Sequence, residues 1–454
     1  MARFFAVFSR NILFLTVSGP VFAGQDPSYR WDPIAYEPFG GSISRATACE
    51  LISSSSFPTR AVVGDAMLVN GDFHAFLHDG SSMIDLGTLG GPSSGAESIN
   101  VFGQVVGFAD FVSANGSIEP RAFLWESGFG MIDLGHLGGG RSWATGIDVY
   151  GESVCGMSYT AAGELHAFWR NPTSGALIDC GTLPGGNSSR ANAVNGSVVV
   201  GSSSSGIGTR AFQWNPTTGM SDLGTLGGSM SAATGISING FVCGWSQNSA
   251  GQIRPFTWGA VSGMTDCGSL GGSWGLAMSV NNSRQVVGAS ETAAGNLHAF
   301  LWDSTSSTMY DLNDWINPSL GWELQEANHI TDLGFIAGTG LYNGQTRAFL
   351  LRPFKMSAIG SASHVNTFTA LHTNPGEKVW FAWSLSEGSW PVPGFPSLNL
   401  DLNQPQIVGS AVDSGGKAVL QRWVPPGAQG KTVYFQATSP HKNLVSPIYQ
   451  KYFW

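Results

Sequence analysis

His74 stands 11 residues before Asp85, and a basic side chain followed at similar distance by an acidic one returns along the chain. Arg121 goes with Asp133, His166 with Asp179, Arg210 with Asp222, Arg254 with Asp266 and His298 with Asp311. A seventh base, Arg347, has no acid after it at that spacing. Cationic side chains repeated in this way could form a ring that faces and grips a ligand. On adjacent antiparallel strands the same two side chains can also meet simply as a polar tie. A pair present in nearly every unit favours the tie, because ligand-binding residues concentrate on variable loops. The competing reading is a ring of cations facing a ligand.

The elements that must position these pairs are repeats. Met83-Ile84-Asp85-Leu86-Gly87-Thr88-Leu89-Gly90-Gly91 returns from Asp133, Asp179, Asp222 and Asp266, and a sixth copy starts at Asp311 and departs into Leu312-Asn313-Asp314. A fixed period of 43 to 48 residues sets the architecture before any single residue does. Each unit reads Ser-x-Ala-x-x-Ile-Asn, a turn, Val-Val-Gly, a loop, (His/Arg)-Ala-Phe-Leu-Trp, a turn, and Met-x-Asp-Leu-Gly. Asn100–Gly103, Asp148–Gly151, Asn195-Gly196, Asn239-Gly240 and Asp332–Gly334 are hairpin signals, since Asn, Asp and Gly accept left-handed backbone. Four short strands per unit make one propeller blade, which must bury its faces on neighbouring blades. The seventh unit ends at Arg352 without its Asp-Leu-Gly strand, and the stretch Tyr29–Gly41 is a spare one. The expectation is an all-β, seven-bladed β-propeller over residues 24–353, closed by that N-terminal strand. An open β-solenoid of the same repeats is the alternative.

Three motifs carry a resemblance: Asp-Leu-Gly-Thr-Leu-Gly-Gly from Asp85, Ile-Asn-x-x-Gly-Gln-Val-Val-Gly from Ile99 to Gly107, and His-Ala-Phe-Leu-Trp from His298 to Trp302. Over residues 30–353 the chain resembles the HAF-repeat family of bacterial extracellular proteins, and Gly321–Gly340 resembles that family's last repeat. The resemblance implies export and a β-rich repeat fold, with no catalytic residue to carry over.

Charge divides the chain. Charged residues make up only 11% of it, and its 62 glycines are roughly twice the usual share. Residues 24–353 hold twelve arginines and twenty-six acids, a net −14, whereas residues 354–454 hold seven bases and four acids, a net +3. That shift places a domain boundary near Pro353. An acidic domain without a basic stripe argues against nucleic acid. Residues 1–23 read as a signal peptide: Arg3 and Arg10, an apolar middle from Ile12 to Val17, then Val21-Phe22-Ala23. No apolar run is long enough for a transmembrane segment. In residues 354–454, strands at Val365–His372, Lys378–Ser384, Ser397–Leu402, Gln406–Val412, Ala418–Val424, Thr432–Ala437 and Ile448–Phe453 suggest an immunoglobulin-like β-sandwich, with Asp413-Ser-Gly-Gly as a hairpin turn.

Trp125, Trp214, Trp258 and Trp302 share one slot of the repeat and are expected in the core between blades. Trp143 and Trp274 share another, just after Gly-Gly, and are the candidate ligand contacts, since exposed indoles stack on sugars or anchor partners. Cys155 and Cys243 replace Val in the second strand of two units, and Cys180 and Cys267 replace Leu in the fourth strand of the same two. Export would permit disulfides Cys155–Cys180 and Cys243–Cys267. Against them, strands that flank a third lie about 9–10 Å apart, beyond disulfide reach, which leaves buried thiols as the alternative. Cys49 is unpaired either way. Gly91-Pro-Ser-Ser-Gly95 fits a serine-hydrolase string without the strand-to-helix elbow such a serine needs. No metal, cofactor or catalytic motif is present. The expected role is a secreted or cell-surface, non-catalytic binding scaffold for an extracellular protein or glycan. A polysaccharide-acting propeller hydrolase or lyase and a structural envelope protein are the competing classes. An enzyme would break the repeat with acids, Arg or His at one mouth; the breaks visible are Ile52–Arg60, Val112–Pro120 and Asn313–Glu326.

Overall fold

The computed structural model describes residues 29–32, 39–53, 58–151, 153–316 and 321–353, and the strands between residues 355 and 452. The expected signal peptide lies outside the described residues. The fold is all-β. Each of the first six repeats forms a four-stranded antiparallel sheet, with strands a to d in chain order. Sheet 1 is Gly40–Ser53, Pro58–Leu68, Phe73–His78 and Met83–Asp85, and sheet 2 is Gly90–Ile99, Val105–Val112, Ile118–Glu126 and Gly130–Asp133. Sheet 3 is Gly138–Ile147, Val154–Thr160, Leu165–Arg170 and Leu177–Asp179, and sheet 4 is Ser189–Asn195, Val198–Ser205, Gly208–Asn215 and Gly219–Asp222. Sheet 5 is Gly227–Ile236, Val242–Asn248, Ile253–Gly259 and Gly263–Asp266, and sheet 6 is Gly271–Val280, Gln285–Thr292, Leu297–Asp303 and Thr308–Asp311. A single parallel pairing of Ile253 with Trp274 links these last two. Sheet 7 takes Trp322–Ile330, Ile336–Tyr342 and Gln345–Pro353 from its own repeat and a fourth strand, Tyr29–Asp32, from the other end of the chain, with Tyr29 opposite Pro353.

The a strands touch their neighbours in turn, that of sheet 7 returning to that of sheet 1, so they surround an axis and the d strands lie outside. Each sheet buries a Phe from strand c against the one before it: Phe123 packs with sheet 1, Phe168 with sheet 2, Phe212 with sheet 3, Phe256 with sheet 4, Phe300 with sheet 5 and Phe349 with sheet 6. Phe76 of sheet 1 packs with Phe335, Ala337 and Leu350 of sheet 7. The arrangement is propeller-like. The glycine of Val-Val-Gly is dictated by close approach: a Cβ at Gly107 would sit 2.0 Å from the carbonyl oxygen of Gly95.

Of the breaks in the repeat, Val112–Pro120 is a hairpin end, with Ser113–Ser117 as the turn between Val105–Val112 and Ile118–Glu126. The break at Ile52–Arg60 extends both flanking strands, one to Ser53 and the other from Pro58, and residues 54–57 lie outside the described residues. Beyond Pro353, Lys355–Ile359, Val365–Leu371 and Lys417–Trp423 form one sheet. Gln406–Val412, Lys378–Ser384 and Thr432–Ser439, with Leu444–Val445 and Tyr449–Tyr452, form a second, and Glu387–Pro391 pairs with Asn399–Leu402. The expected turn Asp413-Ser-Gly-Gly lies outside the described residues; the flanking strands Gln406–Val412 and Lys417–Trp423 belong to different sheets.

Candidate functional site

The repeated Asp lies at the outer end of strand d, opposite the Phe of strand c, so it reaches diagonally to the base two residues before that Phe. In sheet 1, Nδ1 of His74 is 2.9 Å from both Asp85 oxygens. In sheet 3, His166 Nδ1 is 2.8 and 2.9 Å from those of Asp179, and in sheet 6 His298 Nδ1 is 2.5 Å from Asp311 Oδ2. The arginines hold more loosely, Arg121 at 3.7 Å from Asp133 and Arg210 at 3.8 Å from Asp222. Arg254 does not use Asp266; it donates to the Gly272 carbonyl and to Gln252 Oε1, each at 3.0 Å. Arg347 reaches across to the Ser42 carbonyl of sheet 1. The Asp has a second task. Its Oδ1 accepts the backbone N–H two residues on, at 2.8 Å for Gly87, Gly135, Gly181 and Gly224 and 2.7 Å for Gly268. Gly87 has φ +76°, a conformation that an Asx turn stabilises and side chains resist. This double use explains why Asp persists even where the base turns away.

A further tie crosses each seam. Ser94 of sheet 2 donates to Gly87 O at 2.6 Å and accepts from Ala75 N at 2.9 Å, both in sheet 1. Ser142, Ser189 and Ser231 repeat both bonds at the next three seams. Ser44 of sheet 1 accepts from Ala348 N of sheet 7 at 3.3 Å, so the seam that joins the two ends of the ring uses the same device. Between sheets 5 and 6 both partners change together: Pro255 has no N–H to give, and Gly275 replaces the serine, where a Cβ would stand 3.2 Å from the proline ring. Between sheets 6 and 7, Asn313 brackets Leu324 instead, bonding its N–H and its carbonyl. Nearer the axis, Thr47, Thr145, Asn192 and Thr234 bond the carbonyls of the following sheets, and Asn328 of sheet 7 bonds Ala46 O of sheet 1 at 2.8 Å.

Trp125, Trp214, Trp258 and Trp302 lie between sheets, as their shared slot predicts. Trp143 and Trp274 do not share a slot. Register pairs Ser142 with Ser158 and Gly275 with Ser290, so Trp143 corresponds to Leu276 and Trp274 to Arg141. The third glycine of Gly138-Gly139-Gly140 shifted the count. Both indoles are partly covered rather than freely exposed, and Trp143 lies 6.3 Å from Tyr159. All five cysteines are buried free thiols. Cys155 shares one apolar cluster with Cys180, and Cys243 shares another with Cys267. Burial pushes Cys155 and Cys243 up to about 12 and Cys180 and Cys267 higher, so none is a ready nucleophile. Ser93 of the hydrolase-like string lies on a strand with its N–H on Asp110.

Two clusters depart from the repeat. At the closing seam Cys49 Sγ lies 3.8 Å from His329 Nδ1, beside Glu50. Burial raises Glu50 to about 7, with Asp332 adding to the rise, and burial lowers His329 to about 4. At sheets 6 and 7 a short 3-10 helix, Leu312–Trp315, brings Asp314 near the His298–Asp311 pair. Burial opposes the charge on His298, but Asp311, Glu323 and Asp314 together hold its pKa above the ordinary value. Tyr310 and Trp315, with centroids 5.6 Å apart, stand beside them. The break at Asn313–Glu326 marks this cluster in the sequence; nothing marks the pairing of Cys49 with His329, which lie 280 residues apart. Among the described residues no group of three or more His, Cys, Asp or Glu could hold a metal ion. Among the described residues no helix is long and apolar enough to cross a membrane.

No protein-family model matches the chain, and neither does any curated protein. Solved structures do. TolB from Acinetobacter baumannii is similar at 13% identity and TM-score 0.38, over 56% of this chain and 64% of that one. A puromycin hydrolase mutant complexed with PGG is similar at 11% identity and TM-score 0.43, over 78% and 62%. A puromycin-hydrolyzing peptidase of Mycobacterium tuberculosis is similar at 12% identity and TM-score 0.40, over 76% and 52%. The chain thus spans less than two thirds of each of these proteins.

Proposed function

We propose that the protein is a secreted or cell-surface, non-catalytic binding scaffold for a protein or glycan. In this reading residues 1–23 are a signal peptide, residues 24–353 a seven-bladed β-propeller of HAF-type repeats closed by Tyr29–Asp32, and residues 354–454 a β-sandwich. One observation carries it: the residues that recur are spent on the frame. The Asp caps a turn while it holds a base, and the serine ties one sheet to the next. The positions left to differ from blade to blade are those on which a scaffold can carry its specificity. The test is a glycan-array and protein pull-down with the purified protein, with a product assay on every hit. Binding without turnover is expected.

A second reading, an enzyme acting on polysaccharide, has one specific observation in its favour. His298, Asp311, Asp314 and Glu323 gather beside Tyr310 and Trp315 where the repeat breaks. Product release that Asp314→Asn abolishes would establish it.

A further inference from the structure

The repeats provide an internal control. On strand a, one position lies between the seam-tying serine, replaced by Gly275 in sheet 6, and a buried alanine. It is Arg45, Gly95, Trp143, Arg190, Ala232 and Leu276 in the first six sheets. Its flanks barely change: Ser142 and Ala144 beside Trp143, Ser189 and Ala191 beside Arg190, all buried. The frame fixes the neighbours and leaves this position open, so its packing does not demand a Trp or an Arg.

Sheets 3 and 4 fill it with complementary chemistry. Trp143 pairs with Met157, and Tyr159 follows two residues along the same strand, so the three share one face of sheet 3. The rings of Trp143 and Tyr159 are 6.3 Å apart and tilted by 57°. Gly139 leaves the phenol its room, since a Cβ there would sit 2.6 Å from that of Tyr159. Arg190 stands in the position of Trp143 on the next sheet, and Tyr159 is the ionisable neighbour that favours its charge. The contrast with Arg45 is informative. Arg45 is 3.3 Å from the buried Asp65 carboxylate and lies over Phe73. The Arg190 guanidinium has no hydrogen bond or ion pair among the described residues, although burial acts against its charge. The Arg190 nitrogens are not sealed from solvent, so its guanidinium is open to an incoming anion.

We propose that Trp143, Tyr159 and Arg190 form a subsite for a uronic-acid residue of an acidic oligosaccharide. The apolar face of the sugar ring stacks on the indole, and its carboxylate takes the two-pronged guanidinium. The assignment rests on the reading of the protein as a glycan-binding scaffold.

Trigalacturonate and its methyl ester, which keep the ring and differ in the charge, test it by calorimetric titration of the full chain. The acid is expected to bind at least about tenfold more tightly than the ester, a difference of about 1.4 kcal/mol. Arg190→Gln should lower affinity for the acid to that for the ester and leave the ester unchanged, Arg190→Lys should recover part of it, and Trp143→Ala should weaken both. Melting temperatures and Trp143→Phe separate loss of the site from loss of fold. Equal binding of acid and ester, or acid binding indifferent to Arg190→Gln in a folded variant, overturns the subsite. If another glycan or a protein binds while uronates do not, the subsite fails and the scaffold stands; turnover of the oligomer removes the scaffold itself.

Discussion

Between sheets 3 and 4 the space behind the serine tie is filled by Trp169 and Trp214, with centroids 6.0 Å apart, and by the thiols of Cys155 and Cys180. Between sheets 7 and 1 a similar tie, Ser44 to Ala348, stands in front of Cys49, with His329 and Glu50 beside it. The first seam joins sheets consecutive in the chain; the second joins residues 304 apart. A closure over that length must offset more chain entropy, yet it carries groups that resist burial in charged form. The comparison teaches that the ties set the geometry of a seam while its filling sets how the seam responds to solvent conditions.

The largest test removes an equivalent Phe from each seam. Phe76→Ala and Phe212→Ala should each cost about 3–5 kcal/mol, measured by denaturant unfolding. Equal losses would mean the closing seam packs like the others. A loss for Phe76→Ala with exchange protection lost only in sheets 1 and 7 would make that seam a separate opening unit.

Titration sharpens the contrast next. Glu50 has a raised pKa, so its stabilising neutral form is fully present below the usual carboxylate range and is lost as pH rises through about 7. His329 is depressed to about 4, so its contribution is present above the ordinary imidazole pKa and is lost as pH falls towards that value. Glu50→Gln should therefore raise stability at pH 8 by about 1–3 kcal/mol and do little near pH 4. His329→Asn should flatten the acid limb. Thermal melts from pH 4 to 8 check both, and matching slopes in wild type and variants would remove the seam from the pH response.

Smaller effects follow at the ties. Ser94→Ala leaves Ala75 N without its buried acceptor and should cost about 1–3 kcal/mol by denaturant unfolding. At the seam of sheets 5 and 6, Gly275→Ser alone should destabilise by crowding Pro255, and Pro255→Ala with it should reverse the loss. Least of all, the exposed pair His74–Asp85 should contribute under about 1 kcal/mol in a double-mutant cycle at moderate salt.

Much of the repeated part was legible in the sequence because its period, turn residues and Asp–base spacing are local. Asp85 beside His74 follows from strand pairing, and the pairing of Tyr29–Asp32 with Gln345–Pro353 follows from a missing strand at one end and a spare one at the other. The Trp143 alignment failed because register passes through an irregularity after Gly138, where counting glycines misleads. The Cys49–His329 contact and the unpaired guanidinium of Arg190 were out of reach, since both depend on which sheets adjoin.

The sharing of sheet 7 between the two ends of the chain imposes an order on assembly. On a chain emerging from its N-terminus, sheets 1 to 6 can stack as they appear, each new one covering the last. The outward face of sheet 1, with Ser44, Ala46 and Phe76, has no cover until Phe335, Ala337 and Leu350 arrive. Until then that wet apolar face is the place where a chaperone would act, or where a second unfinished molecule could insert its own last sheet.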